Sequence, residues 1–143
     1  MIAEADAIGI RMLVGEVVEA WNAHDPQRVA DCYHTDFVGL DVNQKKPLRG
    51  PQAIRRAMEY QLLAFPDLRI DAEEPVIDGN RVALVWMLSG THRGRIMNIP
   101  PTGRHVEFRG CTIMTVMDDK IMESLRIWDV ATMLRSLGCL PDL

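Results

Sequence analysis

Residues 90–104, GTHRGRIMNIPPTGR, decide how the rest of this chain is read. They follow an apolar run, VALVWML (82–88), and precede a second one that ends in CTIMTVM (111–117). Two strand-like runs joined by a Gly- and Pro-bearing arm predict a long hairpin in an antiparallel sheet. Pro100-Pro101 cannot donate to a ladder, and Gly94 and Gly103 permit backbone shapes that other residues avoid. The arm is therefore expected to leave the sheet. Its apolar residues Ile96, Met97 and Ile99 set it apart from a solvated loop tip, so it is expected to fold over something such as the mouth of a cavity.

Outward from the arm, both flanks fall into simple periods. On the C-terminal side, Asp118-Asp119 turns the chain into a strand over 121–128. Ala131, Met133, Leu134 and Leu137 then predict a short helix ended by Gly138. On the N-terminal side, Asp78-Gly79-Asn80 is a hairpin turn, and Leu68, Ile70 and Ala72 alternate as in a half-buried strand. Before it, Gly50-Pro51 opens a helix with Ile54, Met58, Leu62 and Phe65 inward, stopped by Pro66. Residues 43–47 read as a polar loop and 37–40 as a brief strand. Asp25-Pro26 supplies a cap and a first-turn proline for a short helix through Tyr33. Ile10, Leu13, Val14, Val17, Val18 and Trp21 form the stripe of a first helix of roughly 15–20 residues. Helices first and four long strands afterwards make an α+β domain. The runs 82–89 and 113–117 are apolar on both faces, whereas helices cover only one side of a sheet. The second face predicts a homodimer packed sheet against sheet.

With 143 residues the chain is expected to be a single domain, 1–143, burying roughly 70% of its unfolded surface. A net charge of −4 with no basic cluster argues against nucleic acid or an anionic membrane as partner. Cys32, Cys111 and Cys139 are odd in number and lack CxxC spacing, which points to reduced thiols in a cytoplasmic protein. No apolar stretch approaches the ~18 residues of a spanning helix. The opening MIAEADAIGIR has no basic region ahead of an apolar one, so no signal peptide is expected. There is no GxSxG, phosphate-binding loop or dinucleotide fingerprint.

Three residues are candidates for chemistry. Arg126 shares a strand face with Ser124 and Trp128 if the last strand alternates. It is either an interface or snorkelling cation, or a fixed charge in an apolar pocket aimed at an enolate. Asp129 precedes the closing helix, as an N-cap or as a ligand contact at a cavity rim. His92 is suited to proton transfer near neutral pH, or is a histidine hydrogen-bonded at the foot of the arm. His105 could face it, but two histidines do not make a metal site, and no metal is expected. Tyr33, Phe37, Tyr60, Trp86, Phe108, Met114 and Trp128 either line a pocket that accepts an aromatic ligand or are core.

The pattern G-x-H-x-G-x-x-x-x-x-P-P-T-x-R between two apolar strands resembles the SnoaL-like polyketide cyclase family. That family belongs to the superfamily of nuclear transport factor 2-like and ketosteroid isomerase-like domains. The opening VVEAWNAHDPQRVADCYHTDFVG (17–39) and the closing DDKIMESLRIWDVATMLRSLG (118–138) are similar to its first helices and its last strand and helix. The resemblance implies a cone-shaped α+β barrel, with a strongly curved antiparallel sheet closed by N-terminal helices around an apolar pocket. It also implies a hydrophobic polycyclic aromatic substrate and no cofactor. In the characterised cyclases the general acid/base is an aspartate on the last strand. Counted from the D-x-K-I turn, that position holds Arg126, and the cyclases' histidine position holds Thr112. An arginine, with a pKa above ~12, cannot serve as the base. The resemblance therefore leans to the branch assigned as cofactor-independent hydroxylases of aromatic polyketides. A cyclase performing an intramolecular aldol closure and a non-catalytic ligand-binding or dimerisation module are the alternatives. A ketosteroid isomerase-like transferase would need Asp41 or Asp129 as its carboxylate.

Overall fold

A computed structural model describes residues 4–142. Met1 to Ala3, the start of the stretch from which no signal peptide is expected, lie outside the described residues. Helix α1 (Glu4–Asn22) puts Ile10, Val14 and Val17 into the core, as its stripe requires. Helix α2 (Pro26–Ala30) is capped by Asp25, whose side chain accepts from the Arg28 N–H at 3.1 Å. It ends at Ala30 and not at Tyr33, because strand β1 (Tyr33–Asp41) begins there. Strand β2 (Leu48–Arg49) folds back on β1, and α3 (Pro51–Ala64) follows. Gly50, at φ 79°, holds a left-handed shape at the helix start, where a side chain would be strained.

The remaining strands are β3 (Arg69–Ala72), β4 (Val76–Asp78), β5 (Arg81–Thr91), β6 (His105–Met117) and β7 (Lys120–Trp128), followed by helix α4 (Val130–Ser136). They assemble in the order β2-β1-β7-β6-β5-β3, with β4 also paired to β5. Two details correct the expectation of an antiparallel barrel. The sheet is mixed, because β1 runs parallel to β7, and it is open, with β2 and β3 at its edges. Strands so distant in sequence need no tight turn between them, and most of the chain serves as the crossover.

Along β5 the burial alternates strictly, with Val82, Leu84, Trp86, Leu88 and Gly90 inward. Ala83, Val85 and Met87 point the other way and are only half-buried. The outer face is thus apolar without being covered, and Val38, Leu40, Ile113, Leu125 and Ile127 continue it across β1, β6 and β7. The arm between β5 and β6 docks on the end of α3. The Arg93 and Gly94 N–H groups donate to the Ala64 carbonyl at 2.9 and 3.2 Å. Ile96 and Ile99 exchange two backbone hydrogen bonds around a two-residue turn, in which Met97 and Asn98 both have positive φ. Ile96 is buried in the core, which is the physical reason this apolar arm leaves the sheet.

Candidate functional site

Arg126 lies on β7 opposite Thr112 of β6, with Asp41 of β1 as its register partner on the other side. Its guanidinium carbon is 4.9 Å from the centre of the Trp86 ring and 5.1 Å from that of Trp128. Two indole faces thus flank one cation, an arrangement favoured by the ring quadrupoles. The Trp86 N–H donates to Thr112 Oγ1 at 2.9 Å, which holds that ring over β6 beside Gly110. Phe108 packs between the indoles, 6.2 Å from Trp86 and 5.0 Å from Trp128. Close approach is possible because position 110, beside both rings, is glycine.

Asp41 closes the cluster. Its Oδ2 accepts from Arg126 at 3.2 Å, and both carboxylate oxygens lie 3.0 Å from the Trp128 N–H. Burial lowers the pKa of Arg126, and the Asp41 charge opposes that shift. With 28% of its side chain exposed, and 15% for Asp41, the pair is neither a surface bridge nor fully enclosed. A buried cation is tolerable only when compensated in this way. Tyr33 sits close enough for the Arg126 charge to act on it, and its ring meets Phe37 edge-on at 4.7 Å. Burial raises the Tyr33 phenol above its ordinary value, and the Arg126 charge opposes that shift. The cluster joins a fixed cation, a phenol and aromatic walls, which suits stabilisation of a developing oxyanion.

The profile of the SnoaL-like polyketide cyclase family matches residues 11–137. The chain belongs to that family. Among its relatives, the aklanonic acid methyl ester cyclase DnrD of Streptomyces peucetius is 30% identical over 129 residues, covering 88% of both chains. The nogalonic acid methyl ester cyclase of Streptomyces nogalater is 27% identical over 124 residues, covering 85% of this chain and 92% of its own. The crystal structure of AclR, a proposed hydroxylase of Streptomyces galilaeus, superposes with a TM-score of 0.81 at 29% identity. It covers 92% of this chain and 86% of that one. The fold is accordingly the α+β cone of the SnoaL-like proteins.

The structure gathers Arg126, Trp86, Thr112, Phe108 and Trp128 at one place, with Tyr33 within reach of the Arg126 charge and Phe37 packed on the Tyr33 ring. Met114 is buried on β6, two residues from Thr112. The other candidates lie apart. Asp129 is exposed and caps α4, bonding the Thr132 N–H at 3.0 Å and its hydroxyl at 2.6 Å. These bonds, the hydroxyl first, hold its pKa below the ordinary carboxylate value. His92 is fully buried at the foot of the arm, its Nδ1 accepting from the Thr102 N–H at 3.2 Å. Through the β5–β6–β7 register, Arg126 stands opposite Leu84, and eight residues at about 3.3 Å each separate Leu84 from His92. His105 is exposed near Glu107, so the two histidines do not face one another. Tyr60 is 46% exposed on α3, its hydroxyl accepting from the Met97 N–H at 3.2 Å. Two clefts open elsewhere: one of about 340 Å³ between Thr35–Val38 and Arg49-Gly50, and one of about 350 Å³ on the outer sheet face. No helix among the described residues is long and apolar enough to cross a membrane.

Proposed function

We propose that this protein is a tailoring enzyme of aromatic polyketide biosynthesis that hydroxylates an anthracycline-type intermediate by way of a stabilised enolate or phenolate. The observation that carries the reading is Arg126 held between Trp86 and Trp128, where the family's cyclases are expected to use a carboxylate. The substrate is a polycyclic aromatic whose carbon acid or phenol is already activated by neighbouring carbonyls. Transfer of its proton to a base from solvent leaves a delocalised anion, and Arg126 offsets that charge as it forms. The anion adds O₂, so that a C–H bond becomes a C–O–O–H group once a proton is returned. Two equivalents of a small thiol then supply two electrons and two protons, cleaving the O–O bond to alcohol and water and leaving as the disulfide. The chain's own contributions are orientation of the substrate against the aromatic walls and the positive charge.

The test is turnover of an anthracycline-type intermediate by wild type, Arg126→Ala and Arg126→Asp, with and without oxygen. Removal of one such electrostatic contact costs a hundredfold to a thousandfold in rate, and the reversed charge abolishes turnover. Near-wild-type rates in both variants refute the role of Arg126. Ring closure by the wild type without oxygen makes the protein a cyclase, in line with its cyclase relatives. Failure to bind the intermediate in a calorimetric titration leaves a non-catalytic module.

The outer sheet face is proposed to pair with a second copy. Val38, Leu40, Ile113 and Leu125 line a cleft there, and Leu40 and Ile127 are 54% and 43% exposed. Such a patch on a sheet is stabilised by association.

A further inference from the structure

Resting on the reading of Arg126 as the cation of the site, we infer that Asp41 is its positioning residue: the carboxylate that sets how the guanidinium is turned between its two indoles. Stacking constrains the plane of a guanidinium, because both of its faces prefer the flat side of a ring. Within that plane the ring quadrupole does not distinguish one N–H edge from another, so beyond the side chain's own tether the rings favour no particular orientation. Only a directional partner at a fixed point selects an orientation. The Asp41 Oδ2 is such a point, 3.2 Å from one terminal nitrogen of Arg126.

That point is itself immobilised from three sides. Asp41 is the last residue of β1, in parallel register with Arg126. The Asn43 N–H donates to Oδ1 at 2.8 Å, and the Trp128 N–H reaches both oxygens at 3.0 Å. The chain beyond Asp41 stays bound to β7: Val42 N–H donates to the Arg126 carbonyl at 3.1 Å, and the Asn43 amide to the Trp128 carbonyl at 3.3 Å. One carboxylate thus bonds the cation and also one of the rings on which the cation rests. A carboxylate engaged by three donors has little lone-pair capacity left for taking a proton from carbon, which argues for orientation and against service as the base. A guanidinium has five N–H bonds, and the contact with Asp41 leaves others free to meet an oxyanion.

The experiment uses the full chain with Asp41→Asn, Asp41→Ala and Arg126→Ala. Asp41→Asn keeps an oxygen for Trp128 and Asn43 while removing the charge. Its kcat is expected to fall about a hundredfold, the usual cost of a misplaced catalytic group, with KM changed by less than about threefold. The Trp128 indole N–H resonance, read without substrate, is expected to shift in both Asp41 variants. Added acetate, a small carboxylate able to enter the space left in Asp41→Ala, is expected to restore kcat saturably there and not in Arg126→Ala. An Asp41→Asn kcat within threefold of wild type, or an unmoved Trp128 resonance, overturns the inference. So does loss of activity in Asp41→Ala that acetate does not rescue and that follows the unfolded fraction, because that is a purely structural role. Loss of the acid limb of the kcat/KM pH profile in Asp41→Asn makes Asp41 the base and also overturns it. Full activity of Arg126→Ala defeats the underlying reading instead, so the two failures are told apart.

Discussion

Gly110→Ala is a one-methyl probe of whether the indole pair holds Arg126 as described. Two effects of opposite sign meet at this position. In a strand, alanine is favoured over glycine by about 0.5–1 kcal/mol of backbone entropy. Against it, the added Cβ would stand 2.5 Å from Cη2 of Trp86, overlap its Cζ2, and lie 2.9 Å from the Trp128 Cβ. Carbon atoms rest at about 3.5–4.0 Å, so the Trp86 ring must move by roughly 1 Å. Overpacking of this kind costs about 1–3 kcal/mol. A ring so displaced also weakens its 2.9 Å bond to Thr112, worth about 0.5–1.5 kcal/mol, and its contact with Arg126, worth about 0.5–1. Packing therefore wins, with a net loss of about 2–4 kcal/mol. At about 2–4 °C per kcal/mol for a chain of this length, the melting temperature should drop by about 4–16 °C. Urea unfolding followed by near-ultraviolet circular dichroism measures both the loss and the change in the tryptophan environment. Gly15→Ala is the control, because nothing lies within 4 Å of the place its methyl would take on α1, and helix propensity should stabilise by about 1 kcal/mol. A Gly110→Ala protein as stable as wild type, with an unchanged aromatic spectrum, would refute the packing of Trp86 over position 110.

Two further outcomes are expected. Asp129→Ala should cost about 1 kcal/mol as a lost helix cap while leaving turnover intact. Because hydrogen bonds from Thr132 lower the Asp129 pKa in the folded state, that contribution is present above the ordinary carboxylate value of about 3.9 and lost as pH falls through the folded one; urea midpoints of the two proteins should converge in acid. Ile113→Lys should dissociate the proposed dimer in sedimentation and speed labelling of Cys111 on the same face, while buried Cys32, its thiol pushed up to about 11 mainly by desolvation, should stay unlabelled.

The legible parts of this protein are those written in local periods and punctuation. The α1 stripe, Asp25-Pro26 at α2, Gly50-Pro51 at α3, Asp78-Gly79-Asn80 and the long β5–β6 hairpin appear where the residues alone put them. The two-faced apolar runs likewise announced a sheet with an uncovered side, and the position of Arg126 opposite an inward threonine follows from alternation once the register is known.

Partnership at a distance was not legible. Residue 41 is an aspartate after a brief apolar strand, and nothing local distinguishes it from a solvated end. It meets Arg126, 85 residues later, because β1 runs parallel to β7, a pairing set by packing that leaves no turn signature. The sequence by itself determined the long helices and strands and which of their faces are apolar, since those depend on neighbours within about one helical turn or one strand repeat. It did not determine the short β2 or the early start of β1 at Tyr33. Only the tertiary structure decided that His92 belongs to the arm, that Tyr60 stands outside on α3, and that one cation is bounded by two indoles and a carboxylate. Those relations are fixed by register and by close packing between strands, and neither leaves a mark at any single position of the chain.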